Sequence, residues 1–430
     1  MGTLIAGALV DGERRDILVE DGIIAKIAPR IEPRLPARGS DGFSTIDAGG
    51  LAALPSLVNA HAHSAMTLLR GTAEDLELDD WLRKAVWPRE ARLTAEDIYW
   101  GTRLAALEMI KSGTTLCHDM YLDPRASARA AADSGMRFVI NYPLIDGLDE
   151  SLGAEQRRSC VEFFDERPDF GPLVSFNLSA HSVYATSEGS LRWMAEFGGE
   201  RGLSRHIHLA ETEGEDRECR ALRGMSPTAY LESLGFLGPD LFAAHAIWLD
   251  AADFELISKH GVILIHNPVS NMKLASGPAY DYEAARRRGI RTLLGTDGSA
   301  SNNGLDLFAD MKTAALLQKQ HYRDARRLPV GELFDAATIA GHEAFRDGAG
   351  TIEEGRVADF ILVDLAKPGM TPLHDLRSNL VYAGGGAVVD TVICAGEVLM
   401  RSGKVEGEEE VRREASRCAR DLAHRCGIGA

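Results

Sequence analysis

Between about residues 55 and 354, short apolar runs alternate with amphipathic segments, and this alternation constrains the fold more than any other feature of the sequence. The runs have the length of β-strands, and helical periodicity follows them. Eight can be read: LPSLVNA, GTTLCHD, RFVINYPL, LVSFNLSA, RHIHLA, LFAAHA, VILIHN and RTLLGTD. Eight strand–helix units in ~300 residues predict an α/β fold of the (β/α)8 TIM barrel type. A doubly wound sheet is the alternative, but nothing like GxGxxG follows the first run.

The segment 95–111 carries the clearest helix signals. Thr94 is the predicted N-cap residue, and Asp97 completes a capping box with it. Ile98 and Met109 share one face of this helix at helical spacing. We therefore predict a helix over these residues.

The two ends of the chain resemble each other. Residues 3–28 and 355–404 both contain short apolar runs separated by turn signals, and neither segment could fill a core alone. We predict that they pair in one small β-sandwich. The predicted domains are the composite sandwich of residues 1–54 and 355–405, the barrel of residues 55–354, and a charged C-terminal helix or tail of residues 406–430.

The composition indicates which kinds of partner are disfavoured and which cellular compartment is favoured. The 430 residues include 47 Lys and Arg against 64 Asp and Glu, a net charge of −17. This acidic balance argues against nucleic acid or an anionic membrane as a partner. The six cysteines form no CxxC pair, which favours reduced thiols in a cytoplasmic protein. We expect neither a signal peptide nor a membrane span, because no apolar run approaches ~18 residues.

Histidine and carboxylate side chains stand at the ends of five predicted strands. In a barrel these ends face one mouth, so residues far apart in sequence converge there. A single strand histidine is more often a hydrogen-bonded core residue, but the coincidence of several favours a metal site. The residues are His61, His63, His181, His208, His245 and Asp297.

The spacing of these residues indicates how they would share an ion. His61 and His63 lie two residues apart and therefore point to the same side of their strand. With His208 and Asp297 they would form three imidazoles and one carboxylate, a set that suits Zn²⁺ and does not exclude Fe²⁺. His206 lies deeper, so we expect it inside the barrel and off the metal.

Glu211 follows the fifth strand by a few residues. A carboxylate at the rim of the mouth is a candidate proton shuttle. The alternative is an acid at the start of a helix, since the segment TEGED follows. The position alone leaves both interpretations open.

Four motifs in this order resemble the amidohydrolase superfamily, in the branch of the methylthioadenosine/S-adenosylhomocysteine deaminases and triazine hydrolases. They are HAHSAMTLLRG, HIHLAETEGE, NPVSNMKLASG and LGTDGSASNNGLDLFADM. The resemblance extends over nearly the whole chain. It implies a metal-dependent aminohydrolase with one zinc per chain, held by His61, His63, His208 and Asp297.

The resemblance also implies the chemistry, a hydrolytic deamination in which metal-activated hydroxide attacks the amino-bearing carbon of an aromatic ring and ammonia leaves. Asp297 would take the proton of the water, and Glu211 would protonate the ring nitrogen. His245 would stabilise the oxyanion and hold the hydroxide.

The resemblance implies an adenine nucleoside as substrate: methylthioadenosine, S-adenosylhomocysteine, adenosine or 5′-deoxyadenosine. Trp81 would face the purine, Glu90 would bind the ribose hydroxyls and His181 would contact the substrate near the ribose. No arginine matches those that would hold a homocysteine carboxylate, because Arg157 and Arg158 fall in a predicted helix.

Two other functions remain open at this point. One is an aminohydrolase or chlorohydrolase of another N-heterocycle, such as guanine, a pterin or an s-triazine, and the other is a non-catalytic scaffold. A homo-oligomer is also left open. His118, His266 and Asn267 follow strand ends as well, and for these we expect hydrogen bonds that support the site.

Overall fold

A computed structural model describes residues 2–32, 43–72, 74–166 and 169–427. Residues 33–42 of the predicted N-terminal segment and 428–430 of the predicted C-terminal tail lie outside the described residues. Within these ranges, no helix combines the length and the apolar character that crossing a membrane requires.

The first five strands and the last three form one sheet. The N-terminal strands are β1 Gly2–Val10, β2 Glu13–Glu20, β3 Ile23–Ala28, β4 Phe43–Asp47 and β5 Leu51–Pro55. Strands β6 to β14 form a second, parallel sheet: Leu57–His63, Thr114–Met120, Arg137–Leu144, Val174–Ala180, Arg205–Leu209, Leu241–His245, Ile263–His266, Thr292–Leu294 and Asp297–Gly298. Strands β15 Phe360–Asp364, β16 Val389–Cys394 and β17 Glu397–Met400 return to the first sheet.

Helices connect the strands of the second sheet and follow the last strand of the first. The α-helices are α1 Leu78–Asp80, α2 Trp87–Glu90, α3 Ala95–Lys111, α4 Pro124–Ser134, α5 Glu150–Asp165, α6 Glu188–Arg201, α7 Glu213–Arg223, α8 Pro227–Ser233, α9 Ala251–His260, α10 Pro268–Lys273, α11 Tyr282–Arg287, α12 Leu307–Tyr322, α13 Val330–Ala337, α14 Ile339–Phe345, α15 Leu376–Asn379 and α16 Glu408–Arg425. Short 3₁₀ helices cover Ser64–Leu69, Pro368–Met370 and Gly386–Val388, and π-helical turns cover Trp81–Val86 and Leu380–Gly384. The predicted helix 95–111 is confirmed, including the capping box between Thr94 and Asp97.

The parallel sheet closes on itself as a barrel. Its strand order runs from β13 through β12 down to β6, and β14 pairs with β6. The eighth strand is therefore split into β13 and β14, with Gly295 and Thr296 between them. Asn59 of β6 holds this break, since its amide nitrogen donates to Thr296 Oγ1 and its amide oxygen accepts from the Thr296 backbone N–H. The predicted (β/α)8 barrel and its eight strands are confirmed.

The two chain termini meet in the first sheet, as predicted. β15 runs antiparallel to β5, and β5 also pairs with β1. Alternate residues of these strands face different cores: Ala53 and Leu362 pack inside the small domain, whereas Leu54 and Ile361 pack against the barrel. This period of two explains why neither terminal segment can bury its apolar faces without the other.

Candidate metal centre and active site

The strand ends bring together the ligands predicted from the sequence. Candidate ligand atoms of His61, His63 and Asp297 lie within 4.8 Å of one another, and so do those of His61, His208 and His245. The Nε2 atoms of His63 and His208 are 3.2 Å apart. All five residues lie at the carboxyl ends of β6, β10, β11 and the split eighth strand, where a barrel presents its site.

Hydrogen bonds outside this cluster orient the three imidazoles. His63 Nδ1–H donates to Met120 O at 2.6 Å, and His208 Nδ1–H donates to His181 O at 2.7 Å. His61 Nδ1 lies 3.0 Å from His206 Nε2, which is inside the barrel as predicted. Each ring therefore presents Nε2 to the common space, an arrangement typical of metal-ligating histidines.

These groups fit a divalent cation of the zinc type. His61 Nε2 is buried without a hydrogen-bond partner among the described residues, and Asp297 Oδ1 lies 3.4 Å from it and 3.2 Å from His63 Nε2. Three imidazole nitrogens and one carboxylate oxygen are the donors that Zn²⁺ takes in catalytic sites. The donor set is therefore suitable for one zinc ion.

The electrostatics of the cluster keep two of the three imidazoles, those of His61 and His208, in the neutral form that binds a cation. Burial lowers the pKa of His61 to about 3 and that of His208 well below its ordinary value, so both rings are neutral. Burial also disfavours the charged form of His63. The hydrogen bond to Asp297 and the charge of Asp297 outweigh this effect and raise the pKa of His63 to about 9. A cation here would replace the proton of the His63–Asp297 pair, so its binding should release a proton.

Glu211 reaches into the site and does not serve the start of α7. Thr212 is the N-cap residue of α7, and the Glu211 side chain is only 9% exposed, with Oε1 3.8 Å from His245 Nδ1. The Glu211 backbone N–H donates to Glu215 Oε2, which fixes the turn. Burial raises the pKa of Glu211, which favours its protonated form.

Two of the site residues occupy backbone conformations that L-residues rarely adopt. His245 has φ 73° at the end of β11, and Asp297 has φ 61° at the start of β14. Such left-handed residues cost energy and concentrate at functional sites. Close packing requires a glycine at position 295, because a Cβ there would lie 2.5 Å from Asn267 Oδ1 and 2.8 Å from His61 Cβ.

The three predicted substrate residues lie around the same mouth. Trp81 is 5% exposed and belongs to the same hydrophobic cluster as Met66 and Tyr121, and its indole N–H has no partner among the described residues. Burial raises the pKa of Glu90, against the effects of the nearby Tyr121 hydroxyl and His63 charge. The His181 ring lies 4.8 Å from the His208 ring, centroid to centroid.

The three residues expected to support the site differ in their hydrogen bonds. His118 lies within hydrogen-bond distance of Ala60 O and Asn141 Oδ1, and Asn267 lies beside His245. His266 differs from expectation: its two ring nitrogens have no hydrogen-bond partner among the described residues, and its ring stacks on Tyr280. The alternation of β12 explains this, since Ile265 faces the barrel interior and His266 therefore faces the helices.

Sequence reasoning missed the polar residues that hold Asp297 and His245. Ser270 and Ser301 donate to Asp297 Oδ2, and Asn271 Oδ1 accepts from His245 Nδ1. The available signal was the motif NPVSNMKLASG, in which Pro268 begins a short helix directly after β12. Without the path of that helix, the partners of its serine and asparagine could not be assigned.

Comparisons with known proteins agree with this geometry. A family model described as the amidohydrolase family matches residues 52–399. A 5′-deoxyadenosine deaminase of Methanoregula boonei is 44% identical over 395 residues, covering 92% of this chain and 89% of that protein. The 5-methylthioadenosine/S-adenosylhomocysteine deaminase 1 of Archaeoglobus fulgidus is 44% identical over 365 residues, covering 85% of this chain and 86% of that protein.

A solved structure extends the similarity to the whole fold. The crystal structure of an adenosine deaminase from Xanthomonas campestris with bound zinc superposes with a TM-score of 0.89 at 32% identity, and the match covers 98% of each chain. The family model spans both the predicted ligands and the strands around them. The chain therefore belongs to the amidohydrolase family.

Proposed function

We propose that this protein is a zinc-dependent hydrolytic deaminase of an adenine nucleoside. The observation that carries the proposal is the convergence of three imidazole nitrogens and Asp297 Oδ1 beside the buried carboxyl group of Glu211. The candidate substrates are methylthioadenosine, S-adenosylhomocysteine, adenosine and 5′-deoxyadenosine. The names of the two relatives and of the zinc-containing structural neighbour support this class of substrate.

The proposed zinc ligands are His61, His63, His208 and Asp297, with one ion per chain and Fe²⁺ as the alternative metal. When bound, the metal supplies a Lewis acid that lowers the pKa of a water ligand toward ~7. The hydrogen bonds on the Nδ1 atoms of the histidines support this assignment because they leave each Nε2 free for the ion.

Asp297 and Glu211 are the proposed base and acid. Asp297 accepts the proton of the attacking water, and its low pKa keeps it ionised until then. Glu211 donates a proton to the ring nitrogen next to the amino-bearing carbon, since its raised pKa favours the protonated form. Asp297 then passes the proton taken from the water to the amino group, which leaves as ammonia, and Glu211 regains a proton from the hydroxyl group as the product carbonyl forms.

His245 is the proposed third catalytic group. Its Nδ1–H donates to Asn271 Oδ1, so Nε2 is the nitrogen that accepts a hydrogen bond from the attacking water and holds it in place. The family resemblance also implies that this ring stabilises the oxyanion that develops on the attacking oxygen.

Trp81, Glu90 and His181 are the proposed substrate contacts. The indole of Trp81 would pack against the purine, and the carboxylate of Glu90 would accept hydrogen bonds from both ribose hydroxyls. His181 lies beside His208 on the side of the mouth formed by β9 and would contact the substrate near the ribose. A cytoplasmic location and the lack of nucleic-acid or membrane partners stay predictions from the sequence.

Ammonia release from a panel of substrates tests the proposal. The zinc-loaded protein is incubated with adenosine, 5′-deoxyadenosine, methylthioadenosine, S-adenosylhomocysteine, guanine, a pterin and an s-triazine. We expect the highest kcat/KM with one of the adenine nucleosides. A preference for guanine, the pterin or the triazine would replace this function with the runner-up, and no turnover of any compound would favour a scaffold.

A further inference from the structure

Adjacent residues of the short helix α10 contact the two groups to which we assign the attacking water. Ser270 Oγ–H donates to Asp297 Oδ2 at 2.6 Å, and Asn271 Oδ1 accepts from His245 Nδ1–H at 2.8 Å. All four side chains are buried. One turn of helix therefore reaches the seventh, sixth and eighth strand positions of the barrel at once.

The two oxygens of Asp297 have different partners. Oδ1 faces the Nε2 atoms of His61 and His63, whereas Oδ2 accepts from Ser270 and, at 3.0 Å, from Ser301. Rotation about the last torsion of an aspartate is nearly free in the absence of such bonds. The Ser270 hydroxyl, the nearer of the two donors, therefore holds the plane of the carboxylate together with Ser301, with Oδ1 toward the metal ligands.

His245 is held in the same manner by a single acceptor. Its Nδ1–H bond to Asn271 Oδ1 fixes both the ring orientation and the tautomer, because the other nitrogen is then the acceptor. The Asn267 amide nitrogen is farther from Nδ1, at 3.4 Å. Asn271 is therefore the residue that decides which nitrogen faces the substrate.

Contacts at both ends of α10 keep it in place. Pro268 occupies the first helical position after Asn267. At the other end, Lys273 Nζ lies 2.8 Å from Glu74 Oε2 and donates to Asn303 Oδ1 at 2.6 Å. The helix is thus tied to the segments that follow β6 and β14.

We propose that Ser270 and Asn271 are positioning residues: Ser270 fixes the metal-facing oxygen of Asp297, and Asn271 fixes the water-facing nitrogen of His245. The inference rests on the proposed function for the roles of Asp297 and His245. It gives a role to the NPVSNMK segment. The two residues have different expected effects, since Ser270 acts on metal binding and Asn271 acts on turnover.

The Ser270 arm of the test measures zinc affinity of the metal-free protein by competition with a chromogenic chelator. S270A should bind zinc about 10- to 100-fold more weakly, because removal of a residue that orients a metal ligand has this effect. S270T should restore most of the affinity. The matched control is S299A, since Ser299 is equally buried and its hydroxyl has no hydrogen-bond partner among the described residues.

The Asn271 arm measures kcat and KM with the best nucleoside. N271A should lower kcat about 10- to 100-fold with KM and zinc affinity close to those of the unmodified protein. N271D, which keeps an acceptor oxygen for His245 Nδ1–H, should recover part of the loss. A variant that only loosened the fold would shift the thermal unfolding midpoint and KM together, and Asp would not repair it.

Particular results would overturn the inference. These are a zinc affinity of S270A equal to that of S299A, or a kcat of N271A equal to that of the unmodified protein. If S270A does not fold, S270C keeps the volume with a weaker donor and takes its place. Failure of the proposed function is recognised separately, because the unmodified protein would then bind no zinc or release no ammonia.

Discussion

Two buried carboxyl groups share the site, and their surroundings move their pKa values in opposite directions. Burial raises the pKa of Glu211. Burial alone would do the same to Asp297, but the neighbouring rings of His61 and His63 outweigh it and hold the pKa of Asp297 well below its ordinary value. Groups separated in this way are suited to serve as acid and base at the same pH. The assignment of Glu211 as acid and Asp297 as base rests on this contrast.

Replacement of the Glu211 carboxyl group by an amide tests its role as the acid. Glu211→Gln should lower kcat by about 10²- to 10⁴-fold, because an amide cannot deliver the proton. Zinc affinity should not change, since the Glu211 carboxyl group is not among the proposed ligands. Steady-state kinetics and metal analysis check both statements, with E213Q on the exposed face of α7 as the control. A near-normal kcat for E211Q would remove Glu211 from the mechanism.

Removal of the Glu90 carboxyl group tests its role in binding the ribose. Glu90→Ala should raise KM and lower kcat/KM for ribose-containing substrates, because the ribose hydroxyls lose their acceptor. The same change should have little effect on free adenine. The control is E77A, an exposed acid on the same segment whose side chain makes no capping hydrogen bond. Equal losses for nucleosides and for the free base would show that Glu90 does not bind the ribose.

The sequence predicts the proposed metal ligands better than it predicts the residues that hold those ligands in place. His61, His63 and His208 lie on strands, where a period of two and the shared mouth of the barrel determine direction. Ser270 and Asn271 lie on a one-turn helix whose path depends on contacts with Lys273 and its neighbours. Sequence spacing alone therefore could not assign their partners.

At the scale of elements, the C-terminal helix α16 shows how a charged segment can bury one apolar face. The sequence predicts a surface helix or tail over these residues, and α16 is a helix that keeps most of its residues at the surface while one face packs against α3 and the 3₁₀ helix Ser64–Leu69. Its buried residues are spaced along one face: Val411, Ala415, Cys418 and Leu422. Because the 3₁₀ helix directly follows His63, α16 supports the chain that carries two of the proposed ligands.

Leu422→Ala tests this support. Leu422 is 2% exposed, so the substitution should lower the free energy of unfolding by about 2–5 kcal/mol. Denaturant unfolding of the metal-free protein measures the change, with L222A as the control, since Leu222 is 71% exposed. If L422A and L222A were equally stable, α16 would be only an attached tail.

At the scale of the whole molecule, a buried charge network joins the two sheets at the end of the barrel opposite the site. Arg137 begins β8, and its Nη2 atom lies 3.2 Å from Asp359 Oδ1, directly before β15. Its Nε atom lies 3.5 Å from Asp347, which accepts from His342 at 2.7 Å. Arg137 is therefore the cation between the two carboxylates of Asp347 and Asp359. We propose that it holds the barrel, residues 55–354, to the composite domain of residues 1–54 and 355–405.

Asp359→Ala should therefore destabilise the whole protein. Removal of one partner of a buried ion pair costs about 3–5 kcal/mol, and Arg137 would keep only the longer contact of its Nε atom with Asp347. Adding Arg137→Leu to Asp359→Ala should recover part of that loss, because the remaining charge is then removed too. A double-mutant cycle on the unfolding transition measures the coupling. Losses that simply add would show that the pair does not join the domains.

Metal removal tests the central claim, which is that this barrel deaminates adenine nucleosides with one zinc ion. The protein is stripped with a chelator, zinc is returned in steps, and ammonia release from the preferred nucleoside is measured at each step. We predict no turnover without metal and a linear rise that levels off at one zinc per chain. Full turnover by the stripped protein, or a zinc-loaded protein that releases no ammonia from any adenine nucleoside, would contradict the account.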